Sequence, residues 1–368
     1  MQRTIEIKDV GNVTVNSEFN TWVKNHNVTI GGKKAELDQL LLIYAALKRI
    51  NIITKSVKDG NGEPWEAPVK MISASQGLYR DKIVSVTQVV TPFMFQVTTY
   101  NILTGDNKGI SDYEMETTQI PWLKRRDLVV NALKGSQVVM LNEATTDQYN
   151  YIKRKLQNMK IGCKKKKLQS DDGSVVLYDK TVFEKKDDFS DFLIDGNRQV
   201  VVAARLKHLS SSQEIVFVSL HLKSGYGDTE KRRINEFSAA IEKINIKWND
   251  LDRVPVVVAG DLNSDYNADY SRLVEYFVPR INKPLLRNAA ADVKLQEKPT
   301  YYFWHESTFD YILISPQLQV LNMKTEEVGD RAPNKDQGSD HFPVTAILGV
   351  GAIAPGGKYN CHGMKLRF

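Results

Sequence analysis

Cysteine is scarce in this sequence: Cys163 and Cys361 are the only two in 368 residues, too few for a disulfide framework. No apolar run approaches the ~18 residues that a membrane-spanning helix requires. The first residues, MQRTIEIKDVGNVTV, lack the basic-then-apolar layout of a secretory leader. Together these absences predict an intracellular protein in a reducing setting, with no membrane partner. A strong excess of one charge is missing too. The 50 lysines and arginines face 44 aspartates and glutamates, and the net charge of +6 permits a polyanionic partner without demanding one. There are no internal repeats, and the only low-complexity piece is KKKK at 164–167.

What is present is the make-up of an ordinary globular chain, 42% hydrophobic and 26% charged. Its length suits one large α/β domain with a smaller one beside it. Residues 1–94 read as a small N-terminal α+β appendage. In it, KKAELDQLLLIYAALKRI sets Leu37, Leu40, Leu41, Tyr44 and Leu47 at helical spacing, VKDGNGEPWEAPVK is rich in turn signals, and DKIVSVTQVV is β-rich. The appendage carries no chemical motif and is a candidate surface for a protein partner. From 95 to 350 the pattern changes to apolar β runs: FQVTTYNIL, QVVMLNE, GSVVLYD, RQVVVAARL, EIVFVSLHL, VPVVVAGDLNS and FDYILIS. Several are apolar nearly throughout, as strands buried on both faces must be. Helices fit IPWLKRRDLVVNAL, TTDQYNYIKRKLQ and TEKRRINEFSAAIEKIN, and 351–368 read as a C-terminal tail.

The polar residues that close these strands recur in type: Asn101, Glu143, His221, Asp261 with Asn263, and Asp310, each read at the last residue of its strand or just beyond. Asp340 and His341, in GSDHFPVTAIL, stand at the mouth of a further strand. Singly, each has a plainer reading. Glu143 fits a strand-end charge facing water, Asn101 and Asn263 fit turn residues, Asp310 a cap, and His221 a histidine satisfied against the core. Their coincidence at successive strand ends points to one shared crevice. Carboxylates without clustered cysteine or histidine suit a hard divalent cation such as Mg²⁺, with Mn²⁺ as an alternative, rather than structural zinc.

In order and spacing, TYNIL, LNEATTDQYNYI, DGSVVLYD, SLHLKSG…RRINE, GDLNS, FDYILIS and GSDHFPV resemble the endonuclease/exonuclease/phosphatase superfamily over roughly residues 95–349. The YNIL opening, IPWLKRRDLVVNAL and E…DQYNYI are most similar to the deadenylase branch that includes nocturnin and the Angel proteins. Where that branch usually reads LQE and GDFNS, this chain has LNE and GDLNS.

The resemblance implies a DNase I-like four-layer α/β/β/α sandwich and metal-assisted hydrolysis of a phosphoester. It implies that Glu143 holds Mg²⁺ with Asn101 beside it, and that Asp340 adds a metal contact. Asp261 would orient or deprotonate the attacking water. Asn263, His221 and His341 would donate hydrogen bonds to the phosphate oxygens, with Asp310 orienting His341. Three basic stretches, LKRR at 123–126, KKKK, and EKRR at 230–233, are candidates for a nucleic-acid backbone as well as for solvated faces. EKRR is favoured because its place after HLKSG matches a family arginine near the site, so Arg232 and Arg233 are expected to contact substrate. Tyr301 to Trp304 read as a core strand edge or a base-stacking surface. The expected activity is an Mg²⁺-dependent 3′ exoribonuclease of deadenylase type acting on single-stranded RNA. A phosphatase or phosphodiesterase for a small nucleotide or other phosphoester is the alternative, and a non-catalytic scaffold retaining the fold is a third reading.

Overall fold

The structure is a computed structural model. It describes residues 93–104 and 121–350, apart from 169, 195–198, 226–228, 269–272, 275–285, 296–297, 303–305 and 326–331. Before residue 92 it describes the strands named next, with residues 20, 23, 35 and 40. The helix read over 33–50, the turn-rich 57–70, Phe303, Trp304 and the 351–368 tail fall wholly or largely outside the described residues. No helix among the described residues is long and apolar enough to cross a membrane.

Two compact units divide the chain, Met1–Thr91 and Pro92–Phe368. In the first, β1 (Thr4–Ile7) and β2 (Gly11–Thr14) form an antiparallel pair. A five-stranded sheet joins β3 (His26–Ile30), β4 (Lys33–Lys34), β5 (Val69–Met71), β6 (Gln76–Tyr79) and β7 (Lys82–Gln88) in the order β4-β3-β7-β6-β5.

The second unit is built on two six-stranded mixed sheets. One holds β8 (Phe93–Asn101), β9 (Val138–Asn142), β10 (Met159–Lys166), β11 (Gly173–Asp179), β20 (Leu318–Thr325) and β21 (Val344–Val350), ordered β10-β11-β9-β8-β21-β20. The other holds β12 (Phe183–Phe192), β13 (Val200–His208), β14 (Glu214–His221), β15 (Val256–Asp261), β16 (Arg287–Asn288) and β19 (Asp310–Ile314), ordered β12-β13-β14-β15-β19-β16. A short hairpin, β17 (Tyr301–Tyr302) and β18 (Glu306–Ser307), lies outside both. β8 starts at Phe93, ahead of the boundary read at 94/95.

Each sheet contains one parallel pair, β8 with β9 and β14 with β15. A parallel pair needs a crossover. The helix α1 (Trp122–Ala132) lies in the first, α2 (Thr146–Lys155) follows β9, and α3 (Thr229–Lys247) lies in the second. α2 starts where Thr145 and Gln148 cap each other's backbone N–H groups.

Period-two alternation decides which side chains meet. Tyr100 and Ile102 of the β8 segment, with Val139 and Leu141 of β9, pack against Val129, Leu133 and Ile152 of α1 and α2. Val218 and Leu220 of β14, Val258 of β15 and Leu313 of β19 pack against Phe237, Ala240 and Ile244 of α3. The opposite parity faces the other sheet. There Phe95 meets Phe183 and Phe217 edge-on, at 5.8 and 5.6 Å. Each buried ring stabilises the sandwich by about 1.5–3 kcal/mol over exposure. These are the four layers of the DNase I-like sandwich.

The same inward parity carries Asn101, Asn142, His221, Asp261 and Asp310 to one end of the sandwich. In register, Asn101 sits beside Asn142, and His221, Asp261 and Asp310 lie in one row across the second sheet. One expectation is corrected. Asp310 opens β19 rather than closing a strand; Asp340 and His341 stand ahead of β21, as read. Because β19 and β21 run antiparallel to β15 and β8, their starts lie where the other strands end.

Candidate active site

At that end lies a cleft of about 740 Å³. Asp261 is at its floor, 1% exposed. Its Oδ1 accepts the Asn263 N–H at 2.9 Å, and its Oδ2 accepts the Asn101 amide at 3.0 Å. The Nε2 atoms of His221 and His341 both lie 3.6 Å from that Oδ2. Burial raises the Asp261 pKa, against the pull of the two imidazoles, and makes this carboxylate more basic than a surface aspartate.

The histidines differ. His341 Nδ1 lies 2.7 Å from Asp310 Oδ2, which fixes its tautomer and turns Nε2 into the cleft. Burial opposes its charge, but Asp310 and Asp261 outweigh burial and hold its pKa well above the ordinary value, so His341 is an imidazolium at neutral pH. His221 is pushed the other way, by burial first and then by Lys167, and is neutral. Its Nδ1 is buried with no hydrogen-bond partner among the described residues, while Nε2 faces Asp261 and Glu143. That arrangement favours a proton on Nε2.

Glu143 and Asp340 approach the cleft from the first sheet. Glu143 takes a left-handed backbone, φ 54°, directly after β9, a conformation that costs a non-glycine residue about 1–3 kcal/mol and persists where the surroundings enforce it. Its carboxylate accepts from Asn101 at 3.2 Å and from the Thr104 N–H at 3.4 Å. Burial would raise its pKa; Lys167, His221, the Asn101 hydrogen bond and His341 hold it instead at about 2. Asp340 moves up, through burial and through the charge of Glu143. Its one side-chain hydrogen bond among the described residues comes from Ser339, at 3.2 Å. Two carboxylates thus share a field, and neither has a lysine or arginine within ion-pair distance among the described residues. That donor set fits a hard divalent cation. Asp261, Asp310 and His341 also bring ligand atoms within 4.8 Å of one another, but His341 Nδ1 and Asp310 Oδ2 are already committed to each other. Asn101 turns its amide nitrogen, not its oxygen, toward the carboxylates and acts here as their donor, its oxygen accepting from Leu103 N–H.

The two arginines part ways. Arg232 lines the cleft, its side chain 47% exposed and its Nε 3.0 Å from Glu236. Arg233 is fully buried, bonded to Glu230 at 2.7 Å and to the carbonyls of Lys223 and Gly225. Its expected contact with substrate is therefore corrected: it holds the HLKSG loop from beneath. Asn263 lines the cleft and spends one amide N–H on Leu222 O at 3.0 Å.

Sequence reading carried Lys167 and Tyr301 only inside longer candidate runs, KKKK and 301–304, and missed Phe309 and Asn142. Lys167 faces the cleft and pairs with Asp172 at 2.8 Å, while Lys164 turns outward to Tyr149 and Lys166 to Asp171. Tyr301 and Phe309 form an aromatic wall, with Tyr301 edge-on to His341 at 5.0 Å. Asn142 spans the sheets, accepting the Asp261 N–H at 2.9 Å and donating to Ser219 at 3.3 Å.

Solved structures of known proteins share this fold. ANGEL2, a 2',3'-cyclic phosphatase, is 16% identical, with a TM-score of 0.58 over 70% of this chain and 96% of its own. The human Nocturnin catalytic domain is 17% identical, with a TM-score of 0.54 over 70% and 96%. The mannosyl-6-phosphatase Bt3783 of Bacteroides thetaiotaomicron is 18% identical, with a TM-score of 0.55 over 69% and 99%. A search of curated protein sequences finds no match. The model of the Endonuclease/Exonuclease/phosphatase family matches residues 98–341, from β8 through His341. This chain belongs to the endonuclease/exonuclease/phosphatase family of phosphoester hydrolases, which work with divalent metals.

Proposed function

We propose that the protein is an Mg²⁺-dependent phosphodiesterase that hydrolyses single-stranded RNA from its 3′ end, in the manner of a deadenylase. The observation that carries this reading is the aromatic wall of Tyr301 and Phe309 set directly beside His341. A nucleobase stacks on such a wall, and the neighbouring donors then meet its phosphate.

Glu143 and Asp340 would hold the divalent cation, which when bound polarises a phosphoryl oxygen and stabilises developing charge. Asp261, made basic by burial, takes the proton of the attacking water. The His341 imidazolium and the Nε2–H of His221 donate to the phosphate oxygens, where negative charge grows in the transition state. Asp310 orients His341, and the Asn101 amide bridges and aims the Glu143 and Asp261 carboxylates. Asn263 adds its remaining amide N–H, and Arg232, paired with Glu236, provides a cation at the rim.

A second reading is a phosphatase for a small nucleotide or another phosphoester. It is favoured by the turning of Lys164 and Lys166 away from the cleft, which leaves no lysine track leading out along that strand. Incubating poly(A), mixed RNA, single-stranded DNA and NADPH with the protein and Mg²⁺, then resolving the products, separates the two. Stepwise release of mononucleotides from the 3′ end of RNA supports the first; release of inorganic phosphate from NADPH alone supports the second.

A further inference from the structure

Each parallel pair is bridged by a helix that carries a buried arginine near its start, Arg125 on α1 and Arg233 on α3. Each reaches back to the carbonyls of the loop that leaves the first strand of its pair. The two differ in charge balance. Arg233 has Glu230 as a counter-ion. Arg125, 1% exposed, has no carboxylate within ion-pair distance among the described residues. Instead its terminal nitrogens donate to four carbonyls, those of Ile102, Leu103, Thr104 (3.1 Å) and Gly338 (3.0 Å).

Those carbonyls belong to the two loops that matter most. Residues 102–104 follow Asn101 and include the Thr104 N–H bonded to Glu143. Gly338 stands two places before Asp340. Gly338 is also where α1 docks: a side chain there would meet Val129 Cγ2 at 2.8 Å and the Arg125 carbonyl at 3.1 Å. Ser339 completes the junction, donating to Asn101 O at 2.8 Å and to Asp340.

We infer that Arg125 is a positioning residue for divalent-cation binding, clamping by their backbones the loops that carry Asn101 and Asp340. The inference rests on the assignment of Glu143 and Asp340 as metal ligands. A buried guanidinium suits this use because its planar fork spans several carbonyls at once and it cannot deprotonate. Residues that orient ligands in this way typically change metal affinity by about 10–100-fold when altered.

The test uses the full chain and Mn²⁺ as probe, with binding read by electron paramagnetic resonance and folding by thermal melting. Arg125→Lys keeps the charge and loses the fork; it is expected to weaken Mn²⁺ binding at least about tenfold. Arg233→Lys, which disturbs the equivalent staple of the other half, is expected to lower the melting temperature and leave Mn²⁺ affinity within about threefold of the parent, well below the change that an orienting residue commands. Ser339→Ala loosens the same junction without touching the buried cation and is expected to weaken Mn²⁺ binding too, which keeps the inference testable if Arg125→Lys does not fold. Parental Mn²⁺ affinity in a folded Arg125→Lys, or in Ser339→Ala if the former is unfolded, overturns the positioning role. Unchanged Mn²⁺ binding in Asp340→Asn overturns instead the ligand assignment on which it rests.

Discussion

His341 and Asp310 are hydrogen-bonded at 2.7 Å although they come from different sheets, Asp310 from the first position of β19 and His341 from the approach to β21. The bond joins the two halves of the sandwich at the cleft and favours the charged form of one imidazole. Asp310→Asn keeps the shape and removes the charge that stabilises the imidazolium. The expected outcome is a fall in kcat of about 10²–10³-fold, the usual cost of losing one preorganised donor, with KM changed much less. Steady-state kinetics on a short RNA check this; a change confined to KM counts against it.

Asp340→Asn relieves a carboxylate that burial and Glu143 disfavour. In the absence of metal this variant is expected to melt at or above the temperature of the parent. It should lose activity, together with the rise in melting temperature that added Mg²⁺ gives the parent. A clear loss of metal-free stability would assign Asp340 a structural role.

Lys167 and Arg232 are cations of the cleft lining. On the exonuclease reading, affinity for single-stranded RNA falls with salt at a slope near −0.7 per phosphate contacted. Lys167→Met and Arg232→Gln should each flatten that slope by about one contact. They should raise KM for a long RNA more than for a dinucleotide. Equal effects on both substrates place the two cations at the reacting phosphate, and a shallow slope in the parent favours the small-phosphoester reading.

Gly260 has φ +145°, and a Cβ there would lie 1.8 Å from the Leu220 carbonyl oxygen and 2.9 Å from Asn142 Oδ1. Backbone cannot yield by that amount. Gly260→Ala is expected to lower the melting temperature severely or to prevent folding, because it strikes where β14, β15 and Asn142 meet beneath Asp261. Far-UV circular dichroism during a thermal scan is the measurement; a variant that melts like the parent refutes the packing described.

Arg205 grips Asp250 with both terminal nitrogens, at 2.9 and 2.8 Å, and Glu214 through Nε at 2.6 Å. The hydrogen bond from Arg205 holds the Asp250 carboxyl below its ordinary value. A depressed carboxylate contributes stability above its unfolded pKa, about 3.9, and loses it as pH falls through the folded value. Asp250→Asn should therefore cost about 1.5–3 kcal/mol at pH 7, as for a hydrogen bond to a charged group. Denaturant titrations should show the gap narrowing as pH drops below about 3.9. A gap independent of pH would exclude the charge as its source.

Much of this protein was legible in the chain. The apolar runs and their polar ends mark strands and one shared crevice, because strand periodicity is local: once Phe95 faces the other sheet, parity carries Asn101 to the same side. The fold was implied by the resemblance of seven ordered motifs, those of Glu143, His221, Asp261 and Asp340 among them, to a known superfamily. What the chain could not disclose is where long charged side chains turn. Arg125 and Arg233 sit in runs that look alike, LKRR and EKRR, yet both are drawn inward by backbone carbonyls, while Arg232 stays at the rim. In KKKK, only strand register sends Lys167 toward Asp172 and the cleft while Lys164 turns outward to Tyr149. The LNE spelling showed a departure without its meaning, which is an asparagine bridging two sheets. Parity and motif order are properties of neighbouring residues and so belong to the sequence. The direction of a flexible cation depends on which carbonyls and carboxylates packing brings within its reach, and only the tertiary structure decides that.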